Sequence, residues 1–259
     1  MKNILDDVTI VQPGAPRLTI FGKRGIGKST LASQFPSPLF LLTEDNELPG
    51  IKSLPLFNDY VSLSSALTQL LKLDVIPYKT IVLDSISKLD DLVLKYTMAQ
   101  SPPIGKGVNQ RDAQTLAEAW GGYGAGYEKA AELHKALKRK FDRFKERGIC
   151  VIYIAHLAVT KHKAPDQEDF DIYNIIINHD KSRAVYTDDV DAVLFCKQRS
   201  FTTETESGRT LVKSASDRII STALTDGNIS KTRYIMPEEI PLSFDELSKH
   251  IPFFQVPHE

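Results

Sequence analysis

The chain has 259 residues, 42% hydrophobic and 25% charged, with 32 basic against 33 acidic side chains, an ordinary globular composition. A chain this long buries roughly 70–75% of its unfolded surface, so it needs no disulfide or metal staple. The formal net charge of −1 excludes a protein that coats nucleic acid by bulk positive charge, although it leaves room for a local basic patch.

The N-terminal stretch MKNILDDVTI carries Asp6 and Asp7 and has no long apolar core, so it does not read as a secretory signal. Arg17–Phe21 reads as a strand, followed by a glycine-rich turn and a helix from about Lys28 to Gln34, which Pro36 and Pro38 stop. Leu39–Leu42 is a short apolar run suited to a buried parallel strand. Leu63, Leu67, Leu70 and Leu71 recur at the helical period. Thr80–Leu83 is another buried strand, and Ser87–Met98 is helical by pattern. Residues 99–127 carry Pro102, Pro103 and a glycine cluster, so they read as a long loop in which 113–120 makes two helical turns.

A strong helix is expected over Glu128–Arg147, with Leu133, Leu137, Phe141 and Phe144 as its apolar stripe and Gly148 as its C′ residue. Lys135, Lys138, Arg139 and Lys145 give it a basic, solvated outer face, and Lys140 is expected to snorkel. Ile149–Ala155 is the longest apolar run, a buried strand too short to span a bilayer, so no membrane association is expected. Residues 160–184 read as a second polar loop. Val190–Phe195 is a strand, Lys197–Thr203 and Arg209–Val212 a hairpin turning at Gly208, and Arg218–Thr222 a further strand. Ser243 and Glu246 have capping-box spacing before a short C-terminal helix. Cys150 and Cys196 lie in apolar runs and read as buried small hydrophobes in a reducing, cytoplasmic setting. The alternation of strand and helix argues for one α/β domain over 1–259, with an arm at 1–16 and a tail at 237–259. Its central sheet is mainly parallel, with an antiparallel extension near the C-terminus.

Residues 22–29 read GKRGIGKS, followed by Thr30. This is the phosphate-loop pattern, placed after a strand and opening a helix, as the chemistry requires. Gly22, Gly25 and Gly27 let the backbone curl so that the N–H groups of Lys23, Arg24, Ile26 and their neighbours face phosphate oxygens. The helix N-terminus adds positive potential, Lys28 reaches the outer phosphates, and the Ser29 hydroxyl is suited to Mg²⁺. Asp84, at the carboxyl end of TIVLD, is the matching Mg²⁺ carboxylate; the other reading is the N-cap of the following helix, and the two roles can coexist. The expected cofactors are ATP and Mg²⁺.

With both motifs present, the chain resembles the RecA-like P-loop ATPases, and more narrowly the small phage ATPases linked to recombination and single-strand annealing. The matching words are IFGKRGIGKSTLASQFPSPLFLLTED, YKTIVLDSISKLDDL, GYGAGYEKAAELHKALKRKFDRFKERGICVIYIAHLAV, DDVDAVLF and KTRYIMPEEIPL, over roughly 17–242. The resemblance implies that Glu44, after FLLT, orients the attacking water, with Asp45 and Glu47 as neighbouring alternatives. It implies that His156, after the Ile149–Ala155 strand, senses the γ-phosphate. It also implies that Lys231 and Arg233 act on the nucleotide of a neighbouring subunit, as a similar pair does in DnaB-type helicases and KaiC. Lys197 and Arg199 have the same spacing and form a rival pair.

The same resemblance points the two loops at a single-stranded DNA path. Candidate contacts are Lys106, Arg111, Tyr123 and Tyr127 in the first loop, and Lys161, Lys163, Lys181 and Arg183 in the second, where cations are mixed with carboxylates. Aromatic rings among cations suit stacking of unpaired bases; flexible loops with a buried Trp120 and Tyr127 are the other reading. Expected partners are single-stranded DNA, further copies of the chain in a ring or filament, and a single-strand-binding or other recombination protein in a phage-infected or prophage-carrying host. Two alternatives stand beside this ATPase. One is an ATP-dependent switch or loader with little DNA binding of its own. The other is a P-loop small-molecule kinase, which the single arginine (Arg111) in 99–127 disfavours.

Overall fold

The computed structural model describes residues 4–9, 12–46, 48–106, 110–163, 168–204, 210–225 and 227–256, with the backbone alone for 200–204 and 210–216. Its strands are β1 (Arg17–Gly22), β2 (Pro38–Leu42), β3 (Lys52–Ser53), β4 (Thr80–Asp84), β5 (Cys150–His162), β6 (Phe170–Ile175), β7 (Ala192–Glu204), β8 (Thr210–Ser221), β9 (Lys231–Thr232) and β10 (Glu239–Pro241). Its helices are α1 (Lys28–Ser33), α2 (Tyr60–Leu71), α3 (Ile86–Ala99), α4 (Ala125–Glu146), α5 (Asp180–Thr187) and α6 (Phe244–Ser248). The sheet runs β10-β8-β7-β1-β5-β4-β2-β3, with β6 paired to β5 and β9 to β7. From β7 to β3 the neighbours in this order are parallel, and β8 and β10 add antiparallel strands at one side. The fold is therefore the α/β architecture expected from the alternation of elements.

The central strands are apolar runs because both faces are covered. Phe21, Ile81, Leu83, Val151, Tyr153 and Ala155 point to one face, where they pack with α2, α3, α4 and α5. Leu18, Ile20, Val82, Ile152 and Ile154 point to the other, under α1 and α6. On α4, Leu137, Phe141 and Phe144 are fully buried, as the stripe predicts. Lys140 ends on Ser64 and Thr68 of α2, with Nζ 2.7 Å from the Ser64 carbonyl. Both cysteines are buried and free, and burial pushes the Cys196 thiol up to about 12.

Several expectations are corrected. The 160–184 segment is not a loop: β5 runs on to His162 and pairs antiparallel with β6, and α5 follows. The alternation of Val159, Thr160 and Lys161 against Tyr173, Ile172 and Asp171 across the pair shows why its polar residues mask a strand. In 113–120 there are not two helical turns; one 3₁₀ turn spans Ala119–Gly121. Arg218–Thr222 is not a separate strand: it is the end of β8, apart from Thr222. The expected hairpin is present as β7–β8, and its expected turn residues Gly208 and Arg209 lie outside the described residues, as does Glu47. Ser243 caps α6 by position, but its side chain makes no capping bond, so the capping box is not formed. Among the described residues, no helix is long and apolar enough to cross a membrane.

Three structures rise from the carboxyl edge of the sheet, the edge at which β1 ends. Parallel pairing of β1 stops at Gly22, opposite His156 and Cys196, while β5 and β7 continue beyond as the β5–β6 and β7–β8 hairpins. The third is the α3–α4 pair. Helix α3 starts directly after Asp84, and α4 runs back past it to end just before Cys150, which is level with Thr80 at the other edge. The described parts of the 99–124 connection are therefore carried at the carboxyl end of the sheet.

Candidate functional site

The phosphate loop forms where β1 ends and α1 begins. A Cβ at Gly22 would collide with the carbonyl oxygen of Cys196, so only glycine lets β1 lie this close to β7. Gly27 has φ 111° and is the residue from which α1 starts, a conformation costly for any side chain. Lys28 folds back over the loop, its Nζ 3.1 Å from the carbonyl oxygens of both Gly22 and Lys23. Burial lowers its pKa.

Asp84 stands two strands from the loop, because β5 lies between β1 and β4. It nevertheless accepts a 2.7 Å hydrogen bond from the Ser29 hydroxyl. Asn46 donates to the same carboxylate oxygen at 2.8 Å. Burial raises the Asp84 pKa, as does the nearby Glu44 charge, while the Ser29 and Asn46 bonds oppose the rise. The N-cap of α3 is Ser85, which accepts from the Lys88 N–H, so the Asp84 side chain is not consumed by capping. Thr43 holds β2 and β4 in register: its hydroxyl accepts from the Ser85 N–H at 2.9 Å and donates to the Ser85 carbonyl at 2.7 Å.

That clamp places the next residue, Glu44, facing His156. His156 Nε2 and Glu44 Oε1 are 2.6 Å apart. Since an ionised carboxylate only accepts, Nε2 carries the proton. Arg24 of the phosphate loop lies 3.6 Å from the other Glu44 oxygen. Burial alone would raise the Glu44 carboxyl, but hydrogen bonds from His156 and Ser85 and the charges of His156 and Arg24 outweigh it and bring the pKa down to about 2. His156 does not end its strand. It sits at the last parallel position of β5, where the β5–β6 hairpin departs, with its N–H on the Ser87 hydroxyl at 3.0 Å.

These groups line one open cavity of about 400 Å³: Arg24, Gly25, Lys28 and Ser29 on the loop side, and Glu44, Asp45, Asn46, Asp84 and His156 opposite. It has two cations, Arg24 and Lys28, and backbone N–H groups at one wall and carboxylates at the other, the arrangement that suits a polyphosphate with its metal. The Ser29 hydroxyl and Asp84 carboxylate, already in contact, form a hard oxygen pair fitted to Mg²⁺. Thr30, the next residue of α1, completes the expected nucleotide-binding run. Asn46 is the residue that sequence reasoning missed; its signal, a polar side chain two beyond the expected base, is too weak to single out.

A model of the AAA domain family matches residues 15–234, a span that takes in the phosphate loop, Asp84 and the strands around them. The chain belongs to the AAA domain family. It carries a P-loop on a mainly parallel α/β sheet. Among solved structures, a KaiC-like protein, PH0186, from Pyrococcus horikoshii OT3 is similar at 12% identity, over 88% of this chain and 86% of that one, with a TM-score of 0.42. The flagellar accessory protein FlaH from Methanocaldococcus jannaschii is similar at 12% identity, over 88% and 84%, with a TM-score of 0.40. No curated protein matches the sequence.

The remaining expected residues lie elsewhere. Lys231 and Arg233 are at the opposite edge of the sheet. β9 pairs with the start of β7, and the Arg233 N–H bonds the Asp191 carbonyl. That is five residues of β1 away from Gly22, roughly 16 Å. Arg233 pairs with Asp191 at 3.3 Å, and Lys231 donates to the Asp188 carbonyl at 2.6 Å. Lys197 and Arg199 lie instead at the carboxyl edge, both on Glu239, at 3.5 and 3.2 Å.

The expected DNA contacts divide into two groups. Lys106, Lys161 and Lys163 are exposed, and Tyr123 stands fully out on a Gly-Gly-Tyr-Gly turn. Arg111 is engaged by Glu118 at 3.1 Å, Lys181 by Glu128, and Arg183 by Asp180 and the Ile177 carbonyl. Tyr127 stacks on His179 at 5.0 Å. Trp120 is half-buried; its indole N–H donates to the Thr97 carbonyl, and Lys129 lies over its ring.

Proposed function

We propose that the chain is a Mg²⁺-dependent ATPase that works as a homo-oligomer on single-stranded DNA, in recombination or strand annealing. The observation that carries hydrolysis is the set of contacts around one cavity: Ser29 on Asp84 at 2.7 Å, and Glu44 on His156 at 2.6 Å. Lys28 and the loop N–H groups bind and orient the triphosphate. Ser29 and Asp84 hold Mg²⁺, which when bound offsets charge on the phosphates. Glu44, ionised throughout the physiological range, orients the attacking water and accepts its proton.

His156 is the sensor. Its Nε2–H is donated to Glu44 here. A γ-phosphate oxygen competes for that donor, and the exchange frees Glu44 for water. His156 is also the residue where the β5–β6 hairpin begins, so the same exchange reaches that hairpin.

Support for a homo-oligomer comes from Lys231 and Arg233. They lie roughly a sheet-length from their own phosphate loop, so a nucleotide that they reach is one held by a neighbouring copy. Support for a DNA path comes from the carboxyl edge, where the two hairpins and the 99–124 connection gather with Lys106, Lys161, Lys163 and Tyr123 exposed. The test is the ATPase rate with and without single-stranded DNA. Stimulation supports the full reading; hydrolysis that no DNA changes removes its DNA part.

A further inference from the structure

A second cavity, of about 420 Å³, lies on the other side of the phosphate loop from the nucleotide site. Its floor is Tyr173 of β6 packed on Phe195 of β7, ring centroids 5.2 Å apart, with Leu157 and Ile26 beside them. Its rim carries Lys23 of the phosphate loop and Lys197 of β7. Among the described lining residues there are two cations and no carboxylate. Lys197 has Glu239 at 3.5 Å, a loose and half-exposed pair, while Lys23 has no ion pair among the described residues.

The far wall is built rather than incidental. Tyr173 donates its N–H to the Gly227 carbonyl at 2.9 Å and accepts from Ile229 N–H at 3.2 Å, which fixes Gly227–Ile229 against β6. The buried Asn228 side chain bonds Thr225 and the Ser230 N–H. Tyr173 keeps 42% of its surface exposed although it is packed on Phe195, so one ring edge or face is open to the cavity.

An aromatic floor takes a flat, π-faced ligand, and two cations at the rim take an anion attached to it. We propose that this cavity binds one nucleoside monophosphate unit, its base against Tyr173 and its phosphate at Lys23 and Lys197. The unit comes either from an unpaired DNA strand or from a free nucleotide. The first source rests on the single-stranded DNA reading above; the second does not. The site communicates with the ATPase through two shared elements. Lys23 belongs to the phosphate loop, and Leu157 directly follows His156. Occupancy of the cavity therefore bears on the loop and on the Glu44–His156 pair together.

The test uses the full chain with its ATP site filled by a non-hydrolysable ATP analogue and Mg²⁺. One arm titrates a thymidine oligonucleotide with a single 2-aminopurine; the other titrates 2-aminopurine deoxyriboside monophosphate. Stacking quenches the fluorescence of either probe. Tyr173→Ala should weaken the binding that quenches by about tenfold, Tyr173→Phe should restore it, and Lys197→Ala should weaken it with a shallower salt dependence. Oligonucleotide and monophosphate binding that Tyr173→Ala leaves unchanged in both arms overturns the cavity and spares the DNA reading. Monophosphate binding lost in Tyr173→Ala, with no oligonucleotide binding to wild type, supports the cavity and removes the DNA reading. Quenching of neither probe overturns the cavity. Tyr173→Phe guards against a fold defect in the alanine variant.

Discussion

Removing His156 should change how stability depends on acid. The Glu44 carboxyl lies at about 2 in the fold against an ordinary 4.5. At about 1.4 kcal/mol per unit, that drop corresponds to about 3 kcal/mol of stability held by the ionised group. Only 18% of the Glu44 side chain is exposed, so solvent screens little of it. A depressed carboxylate contributes this stability above its unfolded pKa and loses it as pH falls through its folded one. The window is therefore pH 4.5 down to about 2. His156→Ala deletes the strongest opposing hydrogen bond and leaves burial, which raises the carboxyl. Ser85 and Arg24 still lower the carboxyl in the variant, so only part of that stability is lost: the variant should be less stable than wild type at pH 7, with the gap closing by about 1–2 kcal/mol as pH falls toward 2. Urea unfolding of both proteins at several pH values measures the gap. A gap that stays constant with pH refutes the Glu44–His156 pairing as the cause.

Other expectations follow from single contacts. Asp84→Asn keeps the shape of the carboxylate but not its charge, so Mg²⁺-dependent binding of a fluorescent ATP should weaken by about tenfold or more while Mg²⁺-free binding holds. Gly22→Ala drives a Cβ into the Cys196 carbonyl. A cost of about 2–3 kcal/mol and a melting point lower by about 5–10 °C are expected, read by thermal unfolding. His134 is fully buried between Asp90 at 3.0 Å and Tyr186 at 2.8 Å. Truncating it to alanine leaves Asp90 with Asn178 alone, and equilibrium unfolding should show a loss of about 3 kcal/mol or more. Mixing Lys28→Ala with Arg233→Ala subunits should restore part of the ATPase rate, because some interfaces then pair an intact loop with an intact Arg233; no rescue speaks against action in trans.

The parallel core was legible because each central strand is apolar on both faces, as in RLTIF, TIVLD and CVIYIA, and because glycines marked the phosphate loop. The β5–β6 hairpin was not legible. Its outward positions beyond Leu157 are solvated, so the charges of Lys161 and Asp171 take alternate positions and imitate a loop. Helix α5 was hidden for a related reason: in eight residues it buries only Ser182, Val185 and Tyr186, too few to show a period. At the site, Lys28, Ser29 and Asp84 were readable because the motif fixes their order. The pairing of Glu44 with His156 was not, since Glu44 lies just past β2 and His156 on β5, with β4 between them, and only the Thr43–Ser85 clamp and the β4–β5 register bring them together. Ser243 and Glu246 show the converse: correct spacing, yet no capping bond.

The central claim is that this cavity hydrolyses ATP with Glu44 as the base. Its most direct test compares steady-state phosphate release and ATP affinity for wild type and Glu44→Gln. The geometry predicts hydrolysis by wild type, with near-unchanged ATP binding and turnover reduced by about 10²-fold or more in the variant. Turnover that survives the substitution intact, or a wild type that binds ATP without releasing phosphate, contradicts it.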